Sequence, residues 1–296
     1  MSQEQRQSLN QMMTHSPLDL GADIDSQRAI LHTLLTAHPA PDDVAVSPIT
    51  LGGVPALSID GQGQTPSATI FFLHGGVFSM GSAEASVNLA ADLGRRSGMR
   101  VVTVDYRLAP EHPFPAGPED VLSAYRGLIQ VLGSSAHVAV VGESAGGNLA
   151  LGLLVALRNA GLQMPFAAFL MSPWVDLLGT GATMISKADV DPALSADALR
   201  VRARDYLGEV DPSSPEVSPI HADLSGLPPL LIQAGSHEIL LDDATRLAAK
   251  AAAADVAVTL DVVPEVPHVF QAFAGLLDEG TSALDRAANF LRTHSE

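Results

Sequence analysis

The stretch Val138-Ala139-Val140-Val141-Gly142-Glu143-Ser144-Ala145-Gly146-Gly147 decides how this chain is read. The run His137 to Val141 is short, apolar and β-branched, the signal of a buried strand. Leu149, Leu153 and Leu157 then recur at helical spacing. Between them, Gly142 to Gly146 spell G-x-S-x-G. Alone, this pattern is common in ordinary turns. A strand before it and a helix after it make Ser144 a candidate nucleophile rather than a solvated corner residue. The glycines allow a turn tight enough to lift the Ser144 hydroxyl above a sheet. The helix that starts there aims free N–H groups and its positive dipole end at any negative charge formed nearby.

A serine nucleophile needs a base, an acid that orients the base, and donors for the oxyanion. His268 lies in Val266-Pro267-His268-Val269-Phe270, after the strand-like run Val258 to Val263. That places it at the carboxyl end of a strand, on the edge where Ser144 sits; His221 and His237 are its rivals. The acid should follow the strand at Pro229 to Gln233, where Glu238, Asp242 and Asp243 stand. Asp242 and Asp243 directly precede a helical run and read as helix caps. Glu238 is therefore the expected acid. Earlier, Thr69 to Leu73 reads as a buried strand ending in His74-Gly75-Gly76-Val77-Phe78. Adjacent glycines let two backbone N–H groups face one point. Gly75 and Gly76, with the Ala145 N–H as third donor, are the expected oxyanion hole. Four individually weak signals thus fall in the required order, each after an expected strand.

Strand signals lie near residues 69–73, 100–105, 137–141, 166–171, 229–234 and 257–263, with amphipathic helical patterns between them. Continuous apolar strands alternating with such helices predict an α/β architecture, a mostly parallel central sheet covered on both faces. Val44 to Leu51 and Val54 to Ile59 add a hairpin at Gly52-Gly53, hence antiparallel strands at one sheet edge. Residues 1–40 read as a helical preface, with Ile24, Ile30, Leu31, Leu34 and Leu35 forming an apolar face and Pro39-Ala40-Pro41 a linker. Residues 176–225 break the alternation and carry helical spacing from Asp191 to Leu207.

These residues resemble the hormone-sensitive-lipase-like esterases of the α/β-hydrolase superfamily, the bacterial family IV carboxylesterases. The stretches that carry the resemblance run from about residue 70 to the end of the chain. They are His74-Gly75-Gly76, Asp105 to Glu111 with Phe114-Pro115-Ala116, Gly142 to Asn148, Ser172 to Leu177, and Pro267 to Phe270. The resemblance implies the α/β-hydrolase fold, a Ser144–Glu238–His268 triad and a Gly75, Gly76 and Ala145 oxyanion hole. It also implies a helical cap built from an N-terminal segment, residues 1–42, and from an insertion at about 176–225 in the core of residues 43–296. The activity implied is a serine carboxylesterase acting on small to medium hydrophobic esters through an acyl-enzyme, without cofactor. A lactonase, deacetylase or amidase would use the same machinery. A non-catalytic small-molecule receptor is the reading from another class, disfavoured because all three triad members are present. A homodimer through late sheet elements is a further expectation from the resemblance.

Three positions depart from the family pattern. Val77 replaces the third glycine of H-G-G-G, and a β-branched residue does not readily take a positive φ. Glu143 precedes the nucleophile, either supporting it from behind or lying exposed. Glu238 followed by Ile239 replaces Asp-Pro at the acid. Val77, Phe78, Leu177, Met184, Ile185 and Leu207 are candidates for an apolar pocket wall, though each suits ordinary core as well. Arg107, Glu111 and Asp120 suggest a buried Arg–carboxylate bracket.

Composition bounds the rest. The chain has 296 residues, 47% of them hydrophobic, enough for one large domain with a sizeable core. A formal net charge of −17 argues against nucleic-acid and anionic-membrane partners. With no Cys, disulfides and thiolate catalysis are excluded. There is no H-E-x-x-H, G-x-G-x-x-G or P-loop, so no metal or nucleotide site is expected. No segment is apolar and long enough to span a bilayer. The polar start, Met1 to Gln7, lacks an apolar signal core, so the cytoplasm is the expected location.

Overall fold

The computed structural model of the chain describes residues 2–63, 66, 68–133 and 137–295. Within them, eight strands join in one sheet of order β1-β2-β4-β3-β5-β6-β7-β8. The strands are β1 (Val44–Leu51), β2 (Val54–Gly61), β3 (Thr69–Leu73), β4 (Arg100–Val104), β5 (Val138–Glu143), β6 (Ala167–Met171), β7 (Leu230–Gly235) and β8 (Val258–Val263). β2 pairs antiparallel with both β1 and β4, and every later pairing is parallel. The expected hairpin and all six later strands are present within a residue or two of their expected bounds.

The period-2 alternation of side chains divides each central strand between two apolar layers. Phe71, Leu73, Val102, Val104, Val138 and Val140 face a layer completed by α4 (Ala116–Leu132), α5 (Ala145–Asn159) and α8 (Leu241–Ala253). Ile70, Phe72, Val101, Ala139 and Val141 face the other, completed by α3 (Val87–Ser97) and α9 (Asp278–His294). Because both faces are covered, β3, β5 and β6 are apolar at nearly every position, as their sequences read.

Two segments lie outside this scaffold. α1 (Ser2–Thr14) inserts Leu9 among Val263, Val266, Phe270, Leu277 and Ala283, beneath the loop that carries His268. α2 (Ile24–Leu35) is pinned mainly by Arg28, whose guanidinium donates to the carbonyls of Ser79 (2.7 Å) and Ala109 (2.8 Å) and to both carboxylate oxygens of Glu111 (2.7 Å each). Leu31 and Ile24 pack on the core, but Leu34 and Leu35 are exposed, so the apolar face of α2 is shorter than its sequence suggests. The insertion between β6 and β7 holds α6 (Thr183–Ser186) and α7 (Ala196–Leu207). Ser195 caps α7 by accepting from the Ala198 N–H, so Asp191 to Leu194 form a turn rather than the helix expected there.

The Arg107 expectation is corrected. Arg107 pairs with Asp120 at 2.8 Å but remains 44% exposed, and Glu111 belongs to Arg28 instead. These are two separate pairs at the rim, not one buried bracket.

Candidate active site

The carboxyl ends of β3, β5, β6, β7 and β8 bring the site together, the edge where ligands of parallel sheets bind. Ser144 follows β5 directly and precedes α5, with φ 52° and ψ −118°. Its N–H donates to the Met171 carbonyl (2.9 Å), and its own carbonyl accepts from Trp174 (3.1 Å) and Gly147 (3.0 Å). These bonds over-determine a positive φ that a serine adopts only under constraint. Gly146 is required by close approach: a Cβ there would stand 2.1 Å from the Leu73 carbonyl oxygen.

His268 and Glu238 are hydrogen-bonded, Nδ1 to Oε2, at 2.6 Å. Glu238 is completely buried, and its other oxygen, Oε1, accepts from the Gly235 N–H (2.7 Å) and the Ser172 hydroxyl (3.0 Å). Ser172 also accepts the Val269 N–H at 3.1 Å, so a single hydroxyl ties the acid to the histidine loop. Burial acts to lower the His268 pKa. The hydrogen bond to Glu238 and the charges of Glu238, Asp191 and Glu143 outweigh it and hold the pKa above its ordinary 6.5. The longer arm of Glu238 therefore reaches the imidazole with both oxygens engaged.

Neither rival histidine joins this group in the structure. His221 lies 3.9 Å from Asp176, and His237 lines a surface cavity of about 210 Å³ with Arg6, Glu265 and Pro267. The capping role expected of Asp242 and Asp243 is also corrected. α8 starts at Leu241, so both fall inside its first turn and turn their carboxylates elsewhere. Asp243 accepts the N–H groups of Val175 (2.8 Å) and Asp176 (2.9 Å) and pairs with Arg246 at 3.2 Å. Arg246 also holds Asp176 at 2.8 Å.

The oxyanion turn differs from expectation at two positions. The Gly75 N–H, expected as a donor to substrate, is committed to Glu143 Oε1 at 3.1 Å. Glu143 is thus neither exposed nor idle: it braces the turn from the residue beside Ser144. Burial raises its pKa, opposed by the Gly75 N–H and by His268. Val77 takes φ 51° and Phe78 φ 61°, the left-handed region that Val77 was expected to avoid. Such a conformation costs on the order of 1–3 kcal/mol and persists only where its surroundings enforce it. Here the Ser79 and Met80 N–H groups both close on the Gly76 carbonyl (3.0 and 2.9 Å), and Val77 and Phe78 are buried. His74, buried and stacked on Tyr106, donates from Nδ1 to the Gly75 carbonyl at 2.7 Å. Burial lowers the His74 pKa, opposed by the hydrogen bond to Gly75 and the charge of Asp105. Among the described residues, the N–H groups of Gly76, Val77 and Ala145 have no protein acceptor.

Of the expected pocket wall, Val77, Phe78, Leu177, Met184 and Leu207 are buried in one cluster with Trp174 and Tyr206. Phe78 stacks on Tyr206 of α7 (centroids 3.9 Å apart), joining the turn after β3 to the insertion between β6 and β7. Ile185 is 85% exposed on α6 and belongs to no wall. Sequence reasoning assigned no role to Ser172 or Asp191 and left Glu143 undecided. Only the position of Ser172 at the end of β6, on the same sheet edge as Ser144, hinted at its involvement.

Comparison with known proteins agrees with this fold. A family model described as the alpha/beta hydrolase fold matches residues 70–272. An acetyl-hydrolase of Streptomyces hygroscopicus is 41% identical over 255 residues, 86% of this chain and 83% of its own. An esterase of Acinetobacter venetianus is 36% identical over 285 residues, covering 96% and 94%. The crystal structure of an esterase from the bacterial hormone-sensitive lipase family superposes with a TM-score of 0.95 at 38% identity, covering 99% of each chain.

Proposed function

The chain belongs to the α/β-hydrolase family and is a carboxylic ester hydrolase of the bacterial hormone-sensitive-lipase type, and from that premise we propose that Ser144, His268 and Glu238 are its catalytic triad. The observation that carries the proposal is the 2.6 Å bond from His268 to a buried carboxylate whose second oxygen is held by two further donors. Ser144 attacks the ester carbonyl while His268 takes its proton, and Glu238 keeps the imidazole tautomer and steadies the imidazolium. The oxyanion is met by the free N–H groups of Gly76, Val77 and Ala145. With Gly75 engaged by Glu143, the donor set lies one residue later than its sequence suggests. His268 returns its proton to the leaving alcohol, and water, deprotonated by the same imidazole, hydrolyses the acyl-enzyme.

The substrates we propose are small to medium hydrophobic esters. The aromatic cluster of Phe78, Trp174 and Tyr206 supports this, because its rings pack together beside the nucleophile, where the Trp174 N–H donates to the Ser144 carbonyl. The test is hydrolysis of p-nitrophenyl acetate, butyrate, octanoate and palmitate by the unaltered protein and by Ser144→Ala. Fast turnover of the short esters, abolished by the substitution, is expected. Turnover that survives it sinks the triad, and faster cleavage of palmitate than of butyrate sinks the substrate range.

We also propose a homodimer through β8. This strand ends the sheet with Leu260 and Val262 exposed, which supports the reading. Light scattering on the eluted protein tests it, and a monomer at micromolar concentration removes it.

A further inference from the structure

The cap insertion grips the loop that carries Glu238, and it does so at the residue next to the acid. Asp191 lies in the turn before α7. Its Oδ1 accepts the N–H groups of Ala193 (2.8 Å) and Leu194 (2.9 Å), which closes that turn. Its Oδ2 reaches across to the Ile239 N–H at 2.7 Å. Thr183 holds the other side of the same residue, donating its hydroxyl to the Ile239 carbonyl at 2.8 Å. That hydroxyl also accepts the Asp242 N–H at 2.9 Å. Both backbone groups of Ile239 are therefore held by the cap, while Gly235 and Ser172 hold Glu238 itself from the core.

We propose that Asp191 is a positioning residue, through which the cap insertion fixes the Glu238 loop and sets a further carboxylate facing His268, so that cap and triad act as one unit. The proposal rests on the triad reading given above. Three carboxylates act on His268 by charge: Glu238, which is hydrogen-bonded to it, Glu143 beside the nucleophile and Asp191 in the insertion between β6 and β7. Burial raises the Asp191 pKa, and the three donated N–H groups and the charge of His268 oppose that without cancelling it. Among the described residues, no Lys or Arg pairs with it, so its charge is not neutralised locally.

A purely structural turn residue would alter stability and leave the ionisation of His268 alone. A positioning carboxylate would alter both the rate and its pH dependence. The experiment is Asp191→Asn, followed by kcat and KM for p-nitrophenyl butyrate from pH 5 to 10. The acid limb of kcat/KM is expected to move to lower pH by on the order of half a unit, because a negative charge facing His268 is lost. kcat is expected to fall about tenfold through misplacement of the acid, with KM within about twofold. Asp191→Glu should return the limb to its original position while kcat stays reduced. A limb that does not move in Asp191→Asn overturns the proposal whatever happens to kcat, as does a loss confined to KM. Should that variant not fold, Asp191→Ser, whose hydroxyl can still accept within the turn, is read in the same way. Ser144→Ala measured alongside separates the two levels: activity surviving there overturns the triad reading, whereas an unmoved limb in Asp191→Asn beside an inactive Ser144→Ala overturns the role of Asp191 alone.

Discussion

Most of the chemistry of this protein turns on single residues whose partners come from distant parts of the chain. In the proposed triad, the His268 imidazole must be neutral to accept the Ser144 proton. Its pKa is held above 6.5, so kcat/KM is expected to rise with pH through a limb lying above that value. A limb centred below pH 6 in a pH–rate profile would contradict it. Glu238→Gln keeps the size of the acid but loses the charge and one acceptor. It should lower kcat by about 10³–10⁴-fold with KM little changed, as steady-state kinetics would register. Gly76 has φ 108°, and a Cβ there would stand 2.2 Å from the Met80 carbonyl oxygen. Gly76→Ala must therefore displace the turn that presents the Gly76 and Val77 N–H groups. A loss of about 10²–10³-fold in kcat is expected, comparable to removing one oxyanion donor.

Elements explain how those residues are held. α2 lacks an extended apolar face and is fastened by the four hydrogen bonds of Arg28. Arg28→Ala should free the segment, and limited proteolysis should then cut within residues 15–40 faster than in the unaltered protein. Arg28 lowers the Glu111 pKa from 4.5 to about 2. The stability from this pair is therefore complete above pH 4.5 and lost as pH falls through about 2. Glu111 is half exposed, so that contribution is below about 1 kcal/mol and the carbonyl contacts matter more. The Asp243–Arg246–Asp176 group fastens α8 to the loop after β6. Asp243→Ala would leave the buried Val175 and Asp176 N–H groups without an acceptor. A loss of roughly 3 kcal/mol is expected in urea denaturation.

Charge is the property of the whole molecule that sequence alone quantifies. A net −17 on 296 residues produces self-repulsion that salt screens. The exposed ion pairs weaken with salt as well, but they contribute little individually. Raising NaCl from 10 to 300 mM should therefore raise Tm by ~2–4 °C, about 1 kcal/mol for a domain of this size. An unchanged or lower Tm in calorimetry would mean that the ion pairs outweigh the net charge.

The sequence by itself determined the scaffold and pointed to the residues proposed for the chemistry. Strand order along the chain, the hairpin, the turn at Ser144 and the choice of His268 and Glu238 all follow from local signals: apolar period, glycine positions and place after a strand. Such signals survive in one dimension because each depends on a residue and its near neighbours. Tertiary structure alone decided what those residues touch. Glu143 takes the Gly75 N–H across 68 positions of sequence, Ser172 joins Glu238 to Val269, and Asp191 reaches Ile239 from the insertion between β6 and β7. It also forced Val77 into a left-handed conformation that its side chain disfavours, and turned Asp242 and Asp243 from the caps they resemble into braces. The physical reason is the same in each case. A buried polar group must find a partner wherever packing brings one within about 3 Å, and packing is not encoded in any local stretch.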